Sequence, residues 1–354
     1  MADRVVLHIG LMKSGTSYVQ QRLLRSKAAV EDQGFLFPGP RWGNQVIAVA
    51  EFLGRRRRPP GAYPGAWDAL VAEVAASERT AIISMEFLAP IGVKKISAVV
   101  EAFAPTPVEV VVTARDLART IPAMWQESLK NSGSWTFAEY LQAIQDGTGP
   151  GAQFWREQAL GAVLVRWSEV VGGEHVTVVT VPPPDADRGL LWTRFCEAIG
   201  LSPDAAADIP PINESLGAAS ASVLRQVNAG LASYDISWPD YSDVVKFGLG
   251  KAVLRKHRRA EATLGMPVDP WLRDRSAAMR ERVSRLPVRV VGDLADLEPR
   301  PVSGADPDAV DPREQLEAAV MALTELVKRD IVARSGPLQP RTGDDPDGVE
   351  GDEG

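Results

Sequence analysis

The sequence predicts an α/β fold in which a parallel sheet of four or five strands is flanked by helices and followed by a mainly helical C-terminal half. Four short apolar runs rich in β-branched residues alternate with segments of helical periodicity, as is typical of βαβ units. From about residue 213 to residue 285, by contrast, the periodicity is helical and no convincing strand is present. We expect one domain, residues 1–334, to contain both halves.

The predicted elements follow one another in a regular order. The strands fall at residues 5–9, 80–85, 108–114 and 175–181. Helical patterns lie between them at about 16–31, 66–76, 94–103, 116–131 and 137–145. The run VEVVVTA at 108–114 has an uninterrupted apolar centre, which is typical of a strand buried on both faces of a parallel sheet.

The C-terminal segment differs in composition from the rest. A short apolar run at 287–297 is followed by a linker rich in Pro and Asp at 299–313 and by an amphipathic helix at about 314–333. The apolar side of this helix has two interpretations: it packs on the core, or it binds a second copy of the chain or another partner. Residues 335–354 are acidic and poor in apolar side chains, which predicts a disordered tail.

Composition and charge favour a globular protein. The chain has 354 residues, of which 45% are hydrophobic and 24% are charged. Its formal charge is −7, but residues 344–354 hold six acids and no base, so the remainder carries a charge of −1. This near-neutral balance does not indicate a nucleic-acid partner.

The cysteine count and the hydropathy pattern bear on the compartment. The single cysteine, Cys196, excludes an intramolecular disulfide and a multi-thiolate metal site. No apolar run reaches the roughly 18 to 20 residues of a membrane helix. The start of the sequence, MADRVV, does not have the basic and apolar regions of a signal peptide. We therefore expect a cytoplasmic protein with no membrane partner.

The most informative segment is HIGLMKSGTSYVQ at residues 8–20, which joins the first predicted strand to the first helix. In this geometry several backbone N–H groups and the positive end of the helix point at one place, so we expect an anion to bind there. Gly10 and Gly15 have the G-x-x-x-x-G spacing of a P-loop, which makes the predicted sheet P-loop NTPase-like.

Two departures from a kinase loop indicate that no metal is required beside this anion site. A kinase or ATPase loop has Lys-Ser or Lys-Thr directly after the second glycine, whereas here the lysine comes earlier, at Lys13. The strand at 108–114 is followed by Arg115 rather than by the aspartate that holds magnesium in P-loop NTPases.

The segment MKSGTS at residues 12–17 resembles the loop P-K-S/T-G-T-T/S of the sulfotransferases that use 3′-phosphoadenosine-5′-phosphosulfate (PAPS), with only the proline replaced. Further stretches, among them RDLARTIPAMWQE and NESLGAASASVLRQVN, look like the bacterial, actinomycete-type branch of that family. The resemblance implies that PAPS is the co-substrate and PAP the product. It also implies that the 5′-phosphosulfate is held by Lys13, Ser14, Gly15, Thr16 and Ser17.

The same resemblance implies a site for the 3′-phosphate. In sulfotransferases an arginine at a strand end binds this phosphate, and a serine eight residues later adds a hydroxyl contact. Here the arginine is Arg115, and the position eight residues later is Ala123. The hydroxyl is therefore missing, or Thr120 or Ser128 supplies it. The alternative for Arg115 is a surface arginine beside a helix.

Two side chains are candidates for the base that accepts the proton of an acceptor hydroxyl. Glu86 follows the strand at 80–85, where animal cytosolic members of the family have a histidine; a glutamate base occurs in other branches. An ordinary glutamate has a pKa of about 4.3, so Glu86 needs partial desolvation to be an effective base. It could instead cap a helix or form a salt bridge. His8 is the rival candidate, although a buried, hydrogen-bonded histidine is the commoner arrangement.

Two basic clusters are further candidate parts of the site. The segment FGLGKAVLRKHRR at 247–259 lies where sulfotransferases clamp the 3′-phosphate, so Lys251, Arg255 and Lys256 are candidates to bind it; a solvated helix face is the alternative. The run Arg55–Arg58 predicts either a loop that covers an anionic acceptor or a solvated turn.

Together these features predict a PAPS-dependent sulfotransferase that moves the sulfuryl group to a hydroxyl of a small-molecule acceptor by in-line displacement. Lys13 would stabilise the leaving oxygen, and Glu86 or His8 would take the proton. Two alternatives stay open. One is a non-catalytic module that binds PAPS or PAP, which Ala123 favours; the other is a P-loop kinase-like phosphotransferase, which the position of Lys13 disfavours.

Overall fold

The computed structural model describes residues 2–55, 64–209 and 215–335. Within these ranges the strands are β1 (Val5–His8), β2 (Phe35–Leu36), β3 (Thr80–Ser84), β4 (Val108–Ala114), β5 (Val176–Thr180) and β6 (Arg289–Val291). They form one sheet in the order β2-β3-β1-β4-β5-β6, and every neighbouring pair is parallel.

The predicted α/β class, parallel sheet and helical C-terminal half are confirmed, but the predicted strand number is wrong, because the described residues form six strands rather than four or five. The two additional strands lie at the edges of the sheet. β2 has two residues and β6 has three, which is too short for a periodic pattern to show in the sequence. β6 lies inside the apolar run noted at 287–297.

Helices fill the segments between and after the strands. The first group is α1 (Thr16–Arg25), α2 (Lys27–Asp32), α3 (Trp42–Phe52), α4 (Ala66–Ala75), α5 (Val93–Ala102), α6 (Leu117–Leu129), α7 (Phe137–Asp146), α8 (Gly149–Gln158), α9 (Leu160–Val171) and α10 (Leu190–Ile199). The C-terminal group is α11 (Ala218–Leu231), α12 (Trp238–Tyr241), a π-helix at Ser242–Lys251, α13 (Pro270–Ser284) and α14 (Pro312–Ser335). Short 3-10 helices occupy Glu86–Leu88, Gly173–His175, Pro203–Ala205, Leu254–Ala260 and Leu294–Leu297.

Helices cover both faces of the sheet, as its apolar strands require. Successive residues of β1 point to opposite faces. Val6 belongs to a buried cluster with Val19 of α1 and Phe195 of α10, whereas Leu7 belongs to a second cluster with residues of α5 and α9. A third cluster joins α6 and α7 to α11 and to the helices that follow it. The mainly helical second half is thereby attached to α6.

The strand order places a crevice at the carboxyl edge of the sheet. β1 lies between β3 and β4, so the chain first builds one side of the sheet and then crosses to the other. Ligands bind outside the carboxyl ends of strands at such a switch point. In the register, His8 lies beside Ser84 of β3 and Val111 of β4. The segments after these three strands therefore meet at one place.

The C-terminal helix α14 packs on α11 through small side chains. Ala318 and Ala322 are buried, whereas Leu316, Val320 and Leu323 are more than half exposed. Most of the apolar side identified in the sequence therefore faces outward, while Leu326 on the same side is partly buried against the third cluster. Binding of a second copy or another partner through this side stays a prediction.

Two sequence predictions fall outside the described residues. These are the acidic tail beyond Ser335 and the part of the basic run from Arg56 to Arg58. Among the helices that the structure describes, none combines the length and the apolar character needed to cross a membrane.

Candidate active site

A cavity of about 480 Å³ lies at the carboxyl edge of the sheet, where the segments after β1, β3 and β4 meet. Six of the residues predicted from the sequence line it: Lys13, Gly15, Thr16, Ser17, Glu86 and Arg115. They come from three segments that are far apart in the sequence. α6 and the segments around residues 216, 258–264 and 302 complete the wall.

The loop between β1 and α1 has a backbone that few residue types tolerate. Gly15, at the N-cap of α1, has φ 84°, and Lys13 has φ 65°, both in the left-handed region. Gly10 has no space for a side chain, because an added Cβ would overlap the side chains of Thr16 and Thr113. Thr16 and Ser17, the first two residues of α1, line the cavity, and the N–H groups at such a helix start are suited to bind an anion.

Two of the predicted site residues, His8 and Ser14, are buried beneath the loop and do not line the cavity. Oγ of Ser14 donates to the carbonyl oxygen of Leu11 at 2.5 Å and lies 2.7 Å from Oγ1 of Thr113. Nε2 of His8 lies 3.3 Å from the same Oγ1, and its Nδ1 lies 2.8 Å from Oγ of Ser84. These four side chains form a chain of hydrogen bonds from β3 through β1 and β4 to the loop.

The direction of this chain assigns the tautomer of His8. Ser14 donates to a carbonyl, so its oxygen accepts from Thr113, whose oxygen in turn accepts from Nε2–H of His8. Nδ1 then accepts from Ser84. Burial lowers the pKa of His8 to about 3, which keeps the ring neutral. Both His8 and Ser14 brace the loop through these hydrogen bonds, and their predicted contacts with acceptor and cofactor stay predictions.

Glu86 begins the 3-10 turn that follows β3 and lines the cavity. Nε2 of Gln20 on α1 donates to Oε2 of Glu86 at 3.2 Å and to the carbonyl oxygen of Ser84 at 3.3 Å. Burial raises the pKa of Glu86; the hydrogen bond from Gln20 and the charge of Lys13 lower it by less. A carboxyl group with a raised pKa at a cavity wall is suited to accept a proton near neutral pH.

Arg115 follows β4 and both lines the cavity and braces the loop. Its Nη1 donates to the carbonyl oxygen of Lys13 at 3.3 Å. Burial and, to a smaller extent, the charge of Arg119 lower the pKa of Arg115 to about 10. The guanidinium is therefore still charged at neutral pH and can bind an anion.

Ala123 lines the cavity, so the site has a methyl group where the family pattern has a hydroxyl. Neither of the proposed substitutes lines the cavity: Thr120 is buried, and Oγ of Ser128 donates to the carbonyl oxygen of Trp125 at 2.7 Å within α6. A different residue, Arg119, lies one helical turn before Ala123 and does line it. Its Nη1 donates to the carbonyl oxygen of Pro182 at 2.9 Å and its Nε pairs with Asp116, so its guanidinium is held at the segments that follow β4 and β5.

The ammonium group of Lys13 is paired with a carboxylate that the sequence analysis missed. Nζ of Lys13 lies 2.8 Å from Oε2 of Glu127 on α6. The other oxygen, Oε1, lies 3.4 Å from Nζ of Lys246 and accepts from Nδ2 of Asn131 at 3.2 Å. Burial acts to raise the pKa of Glu127, but the charges of Lys13, Lys246 and Lys130 together hold it well below its usual range. Glu127 is therefore ionised.

The basic segment contributes a residue other than those predicted. Arg258 lines the cavity, whereas Arg255 and Lys256 of the same 3-10 helix do not. Burial lowers the pKa of Arg258. The other predicted cluster is the run Arg55–Arg58. The guanidinium carbon of Arg55 lies 4.0 Å from the centre of the Phe87 ring.

A sequence signal existed for part of what was missed. Five cavity residues recur at helical spacing along α6 and its flanks, at Arg115, Arg119, Ala123, Gln126 and Lys130. This spacing places them on one helix face. No such signal existed for the pairing of Lys13 with Glu127, which are 114 positions apart.

Comparisons with known proteins add little to this description. No family model matches the sequence. A search of curated proteins found no match. A solved structure, described as the crystal structure of a sulfotransferase from Alicyclobacillus acidocaldarius, is similar to 67% of this chain and 99% of its own, with 17% identity and a TM-score of 0.40. Because these values are low, the side chains of the cavity have to carry any functional conclusion.

Proposed function

We propose that this chain is a sulfotransferase that transfers the sulfuryl group of PAPS to a hydroxyl of a small-molecule acceptor. One observation carries the proposal. Lys13 and its loop, Glu86 and Arg115 were selected from separate parts of the sequence, and all of them line one cavity. The parallel sheet by itself brings these three segments together, but it does not dictate that they carry an ammonium group, a carboxyl group with a raised pKa and a guanidinium group.

The cavity suits a ligand with several anionic groups. Its volume of about 480 Å³ falls within the roughly 300 to 1,000 Å³ of pockets that hold small ligands. PAPS carries two phosphate groups and a sulfate. The cavity offers the N-terminus of α1 and five basic side chains, which are Lys13, Arg115, Arg119, Lys130 and Arg258.

The residues of the loop and of the 3-10 turn after β3 would perform the transfer. Lys13 and the backbone N–H groups of Thr16 and Ser17 hold the 5′-phosphosulfate. Glu86 accepts the proton of the acceptor hydroxyl while the hydroxyl oxygen bonds to sulfur. Lys13 stabilises the negative charge left on the bridging oxygen as the old sulfur–oxygen bond breaks and PAP departs.

The three arginines of the cavity would bind the 3′-phosphate. Arg115 and Arg119 approach it from α6 and its flank, and Arg258 from the basic segment. The role predicted for Arg255 and Lys256 is thus assigned to their neighbour. The apolar part of the wall, formed by Met12, Pro122, Leu216, Leu264 and Val302, would contact the body of the acceptor.

Ala123 favours a second candidate, a module that binds PAPS or PAP without catalysing transfer. A methyl group at this position removes one hydrogen bond to the 3′-phosphate, and a binding protein without turnover is under no constraint to orient the cofactor for reaction. The two candidates differ in one measurement, which is formation of PAP from PAPS in the presence of hydroxylated acceptors.

The test is thermal unfolding with PAP, PAPS and ATP side by side, with and without Mg²⁺. A ligand present at 100 times its Kd stabilises the folded protein by about 2.7 kcal/mol. We expect PAP and PAPS to raise Tm without Mg²⁺, and ATP to do so much less. Stabilisation by ATP only with Mg²⁺ would instead support a kinase-like phosphotransferase. Binding of PAPS without PAP formation over a broad acceptor panel would support the non-catalytic module.

A further inference from the structure

The ion pair between Lys13 and Glu127 holds a cavity cation against α6. The two charged groups are 2.8 Å apart, and their side chains are 23% and 17% exposed. Lys13 lines the cavity, whereas Glu127 does not. In the structure the ammonium group is therefore neutralised by the protein instead of being available to an anion at the N-terminus of α1.

Glu127 can release Lys13 without becoming an uncompensated charge. Its Oε1 remains 3.4 Å from Nζ of Lys246 and keeps the hydrogen bond from Asn131. Lys246 is itself fixed, because its Nζ donates to Oδ1 of Asn131 at 2.8 Å and lies 5.8 Å from the centre of the Trp238 ring. Leaving a buried carboxylate without any partner would cost several kcal/mol, and this second set of partners avoids that cost.

The backbone around Lys13 does not need to move for such an exchange. The carbonyl oxygen of Lys13 accepts from Arg115 at 3.3 Å, and the next residue, Ser14, is anchored to Leu11 and Thr113. Only the four-carbon side chain of Lys13 has to rotate between the carboxylate on α6 and the anion position of the loop.

We propose that Glu127 is a positioning residue that competes with bound anions for the ammonium group of Lys13. Without an anion, Lys13 rests on Glu127. When an anion enters the loop, Lys13 transfers to it, and Lys246 and Asn131 keep the carboxylate satisfied. The identity of that anion as the phosphosulfate rests on the proposed function, but the competition itself concerns any anion that the loop accepts.

The competition has a measurable size. The pair is partly buried, so its attraction is screened less than that of an exposed ion pair. Since each 1.4 kcal/mol corresponds to a tenfold change in Kd, we expect removal of the Glu127 charge to tighten anion binding by about tenfold. A residue that merely supports the loop would give the opposite sign, because its loss would disorder Lys13 and weaken binding.

The experiment measures Kd for PAP and for inorganic phosphate by calorimetry at 25 °C, using wild type and Glu127→Gln. Glu109→Gln is the matched control: Glu109 pairs with Arg4 at 2.7 Å with similar exposure, but at the amino edge of the sheet. A Lys13→Ala variant and the Lys13→Ala/Glu127→Gln double variant complete a cycle. In the Lys13→Ala background we expect Glu127→Gln to have no effect on Kd, because the ammonium group for which Glu127 competes is absent.

The outcomes separate this proposal from the proposed function. Tighter PAP and phosphate binding in Glu127→Gln, abolished by Lys13→Ala, supports both. Tighter phosphate binding with no PAP binding in any variant supports the competition and overturns the proposed function. Tightening that persists in the Lys13→Ala background is a general charge effect and overturns the competition, as do an unchanged or weaker Kd and the absence of any anion binding.

Discussion

The conformation of Gly15 gives the most direct physical test of the loop. In Gly15→Ala the new Cβ has to occupy a left-handed backbone at φ 84° and would lie closer than 3.0 Å to Cδ2 of Leu191. Leu191 is the second residue of α10 and is itself 7% exposed within a packed cluster, so it has little freedom to move away. The substitution therefore combines backbone strain with overpacking.

Each contribution can be given a size. A side chain in the left-handed region costs about 1 to 2 kcal/mol. An extra methyl group forced into a packed core costs about 1 to 3 kcal/mol. We expect Gly15→Ala to lower the free energy of unfolding by about 2 to 5 kcal/mol. Because the strain lies at the N-cap of α1, the first-turn N–H groups should also shift, and the affinity for PAP should fall.

Gly147→Ala separates the two contributions. Gly147, at the C-cap of α7, also has a left-handed backbone, at φ 67°, but an added Cβ there meets nothing within 4 Å. In this control only the backbone strain should lower the free energy of unfolding, by about 1 to 2 kcal/mol. PAP should bind normally. The assay is urea unfolding at 25 °C for both variants, followed by calorimetric titration with PAP. Equal losses of stability, or normal PAP affinity in Gly15→Ala, would refute the reasoning.

Three further predictions concern the chemistry. Lys13→Ala should lower turnover far more than PAP affinity, because charge on the leaving oxygen develops only in the transition state, whereas Arg115→Ala should mainly weaken PAP binding; proportional losses in both variants would contradict this division. Glu86→Gln should lower kcat by about 10² to 10⁴ and leave PAP affinity unchanged. Because only ionised Glu86 accepts a proton, wild-type turnover should fall as the pH drops through its raised pKa, and the variant should lose this dependence; near-normal turnover in the variant would exclude Glu86 as the base. Ala123→Ser should tighten PAP by about 1 kcal/mol, measured by calorimetry; an unchanged Kd would mean that another group already makes that contact.

The sequence could predict the parts of the site that follow directly from parallel strands. Residues after the apolar runs at 5–9, 80–85 and 108–114 lie together because parallel strands end at one edge. Lys13, Glu86 and Arg115 do line one cavity for this reason. Local pattern was sufficient here because each of these side chains is placed by the strand beside it.

The parts that the sequence could not predict depend on packing between distant segments. Glu127 pairs with Lys13 only because α6 lies against the loop, and Lys246 joins them only because the π-helix packs beside α6. The 3-10 helix places Arg255 and Arg258 on the same side, and Arg258 reaches the cavity because it lies one turn nearer to the cavity-lining Thr263. Neither arrangement leaves a periodic trace in the sequence.

His8 shows how a position close to the chemistry can still be structural. Side chains alternate between the two faces of a strand, so His8 lies on the same face of β1 as Val6. Helices α1 and α10 cover that face, and the ring of His8 lies 5.0 Å from the ring of Phe195. To act as a base it would have to become charged where burial holds its pKa at about 3, at a cost on the order of 5 kcal/mol relative to water. It would also have to give up the hydrogen bond that Nδ1 accepts from Ser84, since a charged ring donates from both nitrogens. Glu86 faces neither obstacle, because it lines the cavity and its raised pKa brings proton uptake closer to neutral pH. The neutral ring of His8 is instead suited to hold the loop that carries Lys13 against the sheet, because it hydrogen-bonds to Thr113, which hydrogen-bonds to Ser14.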